Sequence, residues 1–263
     1  MVRTDKVRSI ILIVILAVTV LYALYDMQQS GILLKTREPE GEARSREGIL
    51  RYKKVLEADP NDYKALWYLS SCHSELGLLL EERERESKGH ILKAIEYARR
   101  AIAVKEDGFE GHLYLAEALG ISLKNEGPNE RVKFVREVKK EAERAVELNP
   151  DHYRGHLMLG IWHRKVYDAS WVEKKLANIF LGGLPEASLV KAEEFLKRSA
   201  ELKPNFPKTH YELGLVYRDT GKRELALREF EKVVTCPITN IKEEEVLDES
   251  IRQIRRLKKK VKR

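Results

Sequence analysis

Apolar residues fall into two patterns along this chain. From Ile10 to Tyr25 they form a nearly unbroken run in which Thr19 is the one markedly non-apolar residue. From Gly48 onward they recur every three or four residues, the spacing of one helical face. Four phrases, Val55–Pro60, Ala101–Glu106, Ala145–Pro150 and Ser199–Pro204, close helices in the same way, with a small or apolar residue, an apolar pair and usually a proline. Upstream, Leu69-Ser70, Leu115-Ala116, Leu159-Gly160 and Leu213-Gly214 place a leucine beside a small residue in one recurring slot. The small residue admits a second helix at close range. This self-similarity predicts helical hairpins over 61–106, 107–150, 151–204 and 205–234, a half repeat at 48–59 and a closing helix over 242–263 capped by Asn240 and Glu243. One hairpin cannot bury its apolar face alone, so the expected fold is an all-α solenoid.

The first apolar run predicts a transmembrane helix. Its sixteen residues rise about 24 Å at 1.5 Å each, against a hydrocarbon core of about 30 Å. Arg3, Lys6 and Arg8 precede it and Asp26 follows. A cleaved signal peptide is the rival reading, but Tyr22, Leu24 and Tyr25 occupy the place of a small-residue cleavage site. The expected organisation is a basic flank and anchor at 1–25, a Gly- and Pro-containing linker at 26–47, repeats at 48–241 and a closing helix with a basic tail at 242–263. The expected localisation is therefore a single-pass membrane protein. Flanking charge slightly favours an extracytoplasmic body.

Composition refines this picture. The 263 residues carry a net charge of +7, but the last twelve hold eight of the cations and no acid, leaving a near-neutral body. A basic nucleic-acid-binding body is not expected. Cys72 and Cys236 lie far apart, which excludes a disulfide framework and a cysteine-rich zinc site.

No pattern of nucleophile, metal or phosphate chemistry is found, so no enzyme activity, metal or cofactor is expected. His152, His156 and His163 share helical spacing, yet His112, His156 and His210 occupy one slot in consecutive repeats. A recurring slot points to packing rather than to a metal. Ser188 and Lys191 have the spacing of a Ser/Lys pair, but Ser188 sits where a helix cap belongs.

The repeat phrases resemble the tetratricopeptide repeat, most clearly over Asn205–Val234. The segment Ser170–Ser188, which contains Trp171, Gly182, Gly183 and Pro185, is followed by Pro204-Asn205-Phe206. Together these resemble the regulator of microtubule dynamics family over roughly residues 45 to 260. The resemblance implies a tetratricopeptide-like adaptor; some members are membrane-anchored and some associate with microtubules. A family member of eukaryotic type would hold its repeats in the cytosol.

In such stacks the first helix of each hairpin lines the concave face. The candidate partner-binding residues are then Trp67, Arg154, Leu157, Arg164, Lys165, Lys208, Tyr211 and Arg218. Basic groups around apolar ones suit an acidic peptide or helix. The basic tail, Arg252, Arg255, Arg256, Lys258, Lys259, Lys260, Lys262 and Arg263, is a second candidate, for an acidic cytoskeletal or anionic membrane surface. The expected function is a membrane-anchored protein-interaction scaffold, the alternative a surface binder acting through the tail.

Overall fold

The computed structural model describes residues 40–169, 174–175, 177–178 and 182–261. The chain divides into two units, Met1–Ala43, almost wholly outside the described residues, and Arg44–Arg263, which holds the repeats. The described residues are helical, with no strand among them.

Helix α1 spans Glu40–Ala58, so it begins inside the segment expected to be a linker. Contacts with the first hairpin account for the earlier start. Ser45 donates to Glu75 at 2.7 Å, Arg46 pairs with Glu86 at 3.0 Å, and Ile49 is buried against Leu69, Leu76 and Leu80. Four hairpins follow: α2 (Tyr63–Leu79) with α3 (Glu84–Val104), and α4 (Phe109–Ser122) with α5 (Pro128–Leu148). Next come α6 (Tyr153–Tyr167) with α7 (Leu189–Leu202), and α8 (Pro207–Asp219) with α9 (Arg223–Thr235). Helix α10 (Ile241–Val261) closes the stack by laying Ile254 and Leu257 on the core of the last hairpin. Asn240 Oδ1 accepts from the Glu243 backbone N–H at 3.0 Å, while the Glu243 carboxylate reaches back to the Thr239 N–H at 2.7 Å. The expected capping box thus forms with its return bond shifted one residue earlier.

The small-residue slot works as its position suggests. A Cβ on Gly160 would lie 2.5 Å from Leu196, and one on Gly214 would lie 2.7 Å from the Phe230 ring. Large side chains of the second helices therefore seat directly on the first-helix backbone. Successive first helices touch one another more closely than successive second helices do, so the stack curves with α2, α4, α6 and α8 inside.

The single-pass membrane localisation expected from the sequence is corrected. Among the described residues no helix is long and apolar enough to cross a membrane. The apolar run at 10–25 lies outside them.

Candidate partner-binding groove

The inner layer is tied across repeats by polar and aromatic links. Tyr63 donates to Glu110 at 3.0 Å and accepts from the Gly111 N–H at 3.1 Å, joining α2 to α4. Arg154 makes a forked pair with Glu117, at 2.8 and 3.0 Å, joining α6 to α4. Arg164 donates to Glu212 at 2.9 and 2.6 Å, joining α6 to α8, and Lys208 takes the other Glu212 oxygen at 3.1 Å.

These links change the meaning of several expected site residues. Arg164 is only 5% exposed and Glu212 only 2%. Burial raises the Glu212 carboxyl pKa, but Lys208 and Arg164 outweigh that and hold it below the usual range. Arg164 is thus a fixed internal cation, unlike the groove-facing charge anticipated from its position. Leu157 is buried in the core of the last two hairpins. Lys208 lies over the Tyr211 ring, 5.2 Å from its centre, and Arg218 is exposed but bonded to its neighbour Asp219 at 2.7 Å. Lys165 is exposed. Tyr211 is half-buried, with α10's Glu249 near enough to help raise its phenol, after burial and Glu212.

Trp67 belongs to a cluster that the sequence reading captured only in part. Its ring stacks on Tyr68 at 3.8 Å and on Tyr114 at 5.4 Å, and Tyr68 stacks on Tyr52 of α1 at 4.6 Å. All four rings are half-buried. Arg154 continues the line, 5.5 Å from the Tyr114 ring centre. Tyr68 and Tyr114 follow the groove positions Trp67 and Leu113 by one residue. Their recurrence in one slot was the signal that could have found them.

In the basic tail, Arg252, Arg255, Arg256, Lys258 and Lys259 are exposed. Arg252 pairs with Glu249 at 2.7 Å and Lys258 with Glu231 at 2.9 Å. Lys262, Arg263 and the Lys260 side chain lie outside the described residues, as does Trp171.

The recurring histidine slot is a clasp. His112 Nε2 meets the Glu106 carbonyl at 2.8 Å and His210 Nε2 meets the Pro204 carbonyl at 2.5 Å, each six residues back in the preceding turn. Their Nδ1 atoms face Glu141 at 2.5 Å and Glu229 at 2.7 Å on the second helices. Each ring thus ties the preceding turn to the second helix through both of its nitrogens. Burial works against charge on His112, but the Glu141 and Glu106 bonds outweigh it and raise its pKa. In the third hairpin His156 Nε2 keeps its carbonyl, that of Pro150, at 2.8 Å, but Phe195 stands where the glutamate would be and Nδ1 has no hydrogen-bond partner. Elsewhere burial pushes the His73 and His163 imidazoles down to about 3 and about 4. Ser188 caps α7 by accepting from the Val190 N–H at 3.2 Å. Among the described residues no group of three or more His, Cys, Asp or Glu side chains could hold a metal ion.

Curved stacking of hairpins, with second-helix side chains seated on small first-helix residues, defines a tetratricopeptide-type helical-repeat protein. A thermophilic tetratricopeptide repeat protein of Thermus thermophilus shares the fold at a TM-score of 0.59 and 18% identity, over 80% of this chain and 91% of its own. More narrowly, the family model for regulator of microtubule dynamics protein 1–3 matches residues 29–258, and the chain belongs to that family. It is 32% identical to regulator of microtubule dynamics protein 3 of Rattus norvegicus over 61% of this chain and 34% of the relative. It is 27% identical to protein 1 of Homo sapiens over 61% of this chain and 51% of the relative. The chain thus spans from about a third to about half of the length of these relatives. Their names are those of microtubule regulators and lend no support to the single-pass membrane assignment.

Proposed function

We propose that this chain is a protein-binding scaffold that holds a peptide or helix of its partner along the inner layer of first helices. The reading rests on one observation above the rest. The inner layer presents half-buried rings at Trp67, Tyr68 and Tyr114 together with exposed cations at Lys64 and Lys165, while its own carboxylates Glu75, Glu110, Glu117 and Glu212 are engaged internally. Aromatic rings with a polar rim are the usual anchors of protein interfaces. By its family the partner belongs to the regulation of microtubule dynamics.

Site-specific photo-crosslinking in cells tests this reading. A photoreactive residue at Ser71 or Lys165, on first helices, is expected to capture one and the same partner. The same residue at Leu92 or Val234, exposed on second helices, is expected to capture none. Equal capture from both layers overturns the assignment.

A second reading is favoured by the exposure of Arg255, Arg256 and Lys259 on a helix whose other face is pinned by Leu257. These cations suit an acidic cytoskeletal surface. Reversing all three to Glu leaves the Leu257 contact in place and is expected to abolish microtubule co-sedimentation. Co-sedimentation that survives the reversal rules this reading out.

A further inference from the structure

The aromatic line has a specific chemistry. Tyr52 of α1, Trp67 and Tyr68 of α2 and Tyr114 of α4 form one line, with successive ring centres 3.8–5.4 Å apart and interplanar angles of 4–22°. Ring faces this close are largely taken up by one another, so what they offer is mainly apolar edges, together with the Tyr hydroxyls. Two exposed cations flank the line: Arg51 lies 5.7 Å from the Tyr52 ring centre and Lys64 lies 5.8 Å from that of Tyr68. Neither makes a salt bridge to a carboxylate among the described residues. Of the carboxylates on the inner layer near the line, Glu117 is paired with Arg154, while Glu75 accepts from the Ser45 hydroxyl and keeps its charge. The far end of the inner layer differs, because there Glu212 and Asp219 hold Arg164, Lys208 and Arg218.

We propose that the strip from Tyr52 to Tyr114 seats an acidic peptide segment bearing a large apolar side chain. The apolar side chain lies on the ring edges and the carboxylates meet Arg51 and Lys64. The proposal rests on the scaffold reading above and names both its partner class and its place on the groove. It shifts the site from the last two hairpins to the first two. Single-stranded nucleic acid also favours rings with cations, but it binds by base stacking on free ring faces, and here those faces are engaged.

The test uses the full chain and defined probes. Three labelled twelve-residue peptides are titrated by fluorescence anisotropy: a Glu/Asp-rich peptide with one central Phe, the same peptide with Ala for Phe, and a Lys-rich peptide with the Phe. An oligouridine of the same length serves as the fourth probe. The acidic Phe peptide is expected to bind, the other three at least tenfold more weakly, and added salt to weaken binding further. Lys64→Glu, a surface change, is expected to weaken binding at least fivefold. The Lys165→Glu, Arg218→Glu double variant is expected to leave it within twofold. Trp67→Phe keeps an aromatic ring in the strip but shortens its apolar edge, and is expected to weaken binding and to lose the peptide-induced change in tryptophan emission.

Binding of oligouridine equal to that of the acidic Phe peptide overturns the proposal, as does equal binding of the Lys-rich peptide. Binding lost in the far double variant but kept in Lys64→Glu also overturns it, while leaving the scaffold reading intact. No binding of any probe, with inner-layer crosslinking still observed, has the same meaning. Absence of crosslinking from the inner layer, or equal capture from both layers, instead sinks the scaffold reading itself.

Discussion

His112 and Glu141 form a buried ion pair whose strength can be read by replacing its members singly and together. Both side chains are 7% exposed, Nδ1 lies 2.5 Å from the carboxylate, and Nε2 is fixed by the Glu106 carbonyl at 2.8 Å. His112→Leu strands Glu141 in the core with Lys140, 3.4 Å away, as its nearest remaining cation. Removing one member of a buried pair costs about 3–5 kcal/mol. Because Lys140 is largely exposed and partly compensates, the lower end, about 3 kcal/mol, applies here. Replacing both members with Leu removes the stranded charge, and the double variant is expected to lie within about 1 kcal/mol of the parent. The first hairpin already uses an apolar version of this slot, with Leu66 and Tyr97 in the equivalent positions. Urea unfolding followed by circular dichroism at pH 7 measures all four proteins.

The pair also sets a pH window. The folded His112 pKa is raised above the ordinary 6.5, so its contribution is complete below that value and fades as pH rises through the folded pKa. The Glu141 pKa is lowered from 4.5 against the opposing effect of burial, mainly by the His112 bond. Its contribution is therefore present above 4.5 and fades as pH falls through the folded value. The difference between parent and double variant is expected to peak between these limits. A double variant as unstable as the sum of the two singles, at every pH, refutes the ion-pair account and makes this slot a matter of shape alone.

Two other outcomes follow from packing and charge. Gly214→Ala drives a methyl against the Phe230 ring, whose nearest atoms lie 2.7–2.9 Å from that Cβ, and is expected to cost about 1–3 kcal/mol. Gly89→Ala, in the exposed interior of α3 with nothing within 4 Å, is expected to add up to about 1 kcal/mol; thermal melts compare the two. Arg164→Met leaves Glu212 buried with Lys208 alone and is expected to lose about 3 kcal/mol. Lys165→Met, one residue on and exposed, is expected to change stability by less than about 0.5 kcal/mol, which denaturant midpoints would show.

The sequence by itself determined the helical hairpins, their order and their boundaries within a few residues. Those depend on local periodicity, on Pro60, Pro150 and Pro204 in the turns, and on small residues such as Gly160 and Gly214 that recur at fixed offsets. It also showed His112, His156 and His210 to be packing residues, because a slot repeated across hairpins reflects a repeated contact. Only the tertiary structure decided which inner-layer charges remain available to a partner. Arg164 and Lys165 are neighbours in sequence and both read as groove cations. A fold of the chain 48 residues long brings Glu212 onto the first and leaves the second in solvent. The same holds for Trp67, read alone as one aromatic anchor. Tyr114 joins it because the adjacent first helices α2 and α4 lie close enough for their rings to meet, and Tyr52 joins through Tyr68 because α1 packs on α2. Periodicity fixes which face of a helix turns inward. Which partner meets it there is fixed by contacts between repeats, and these have no period in the sequence.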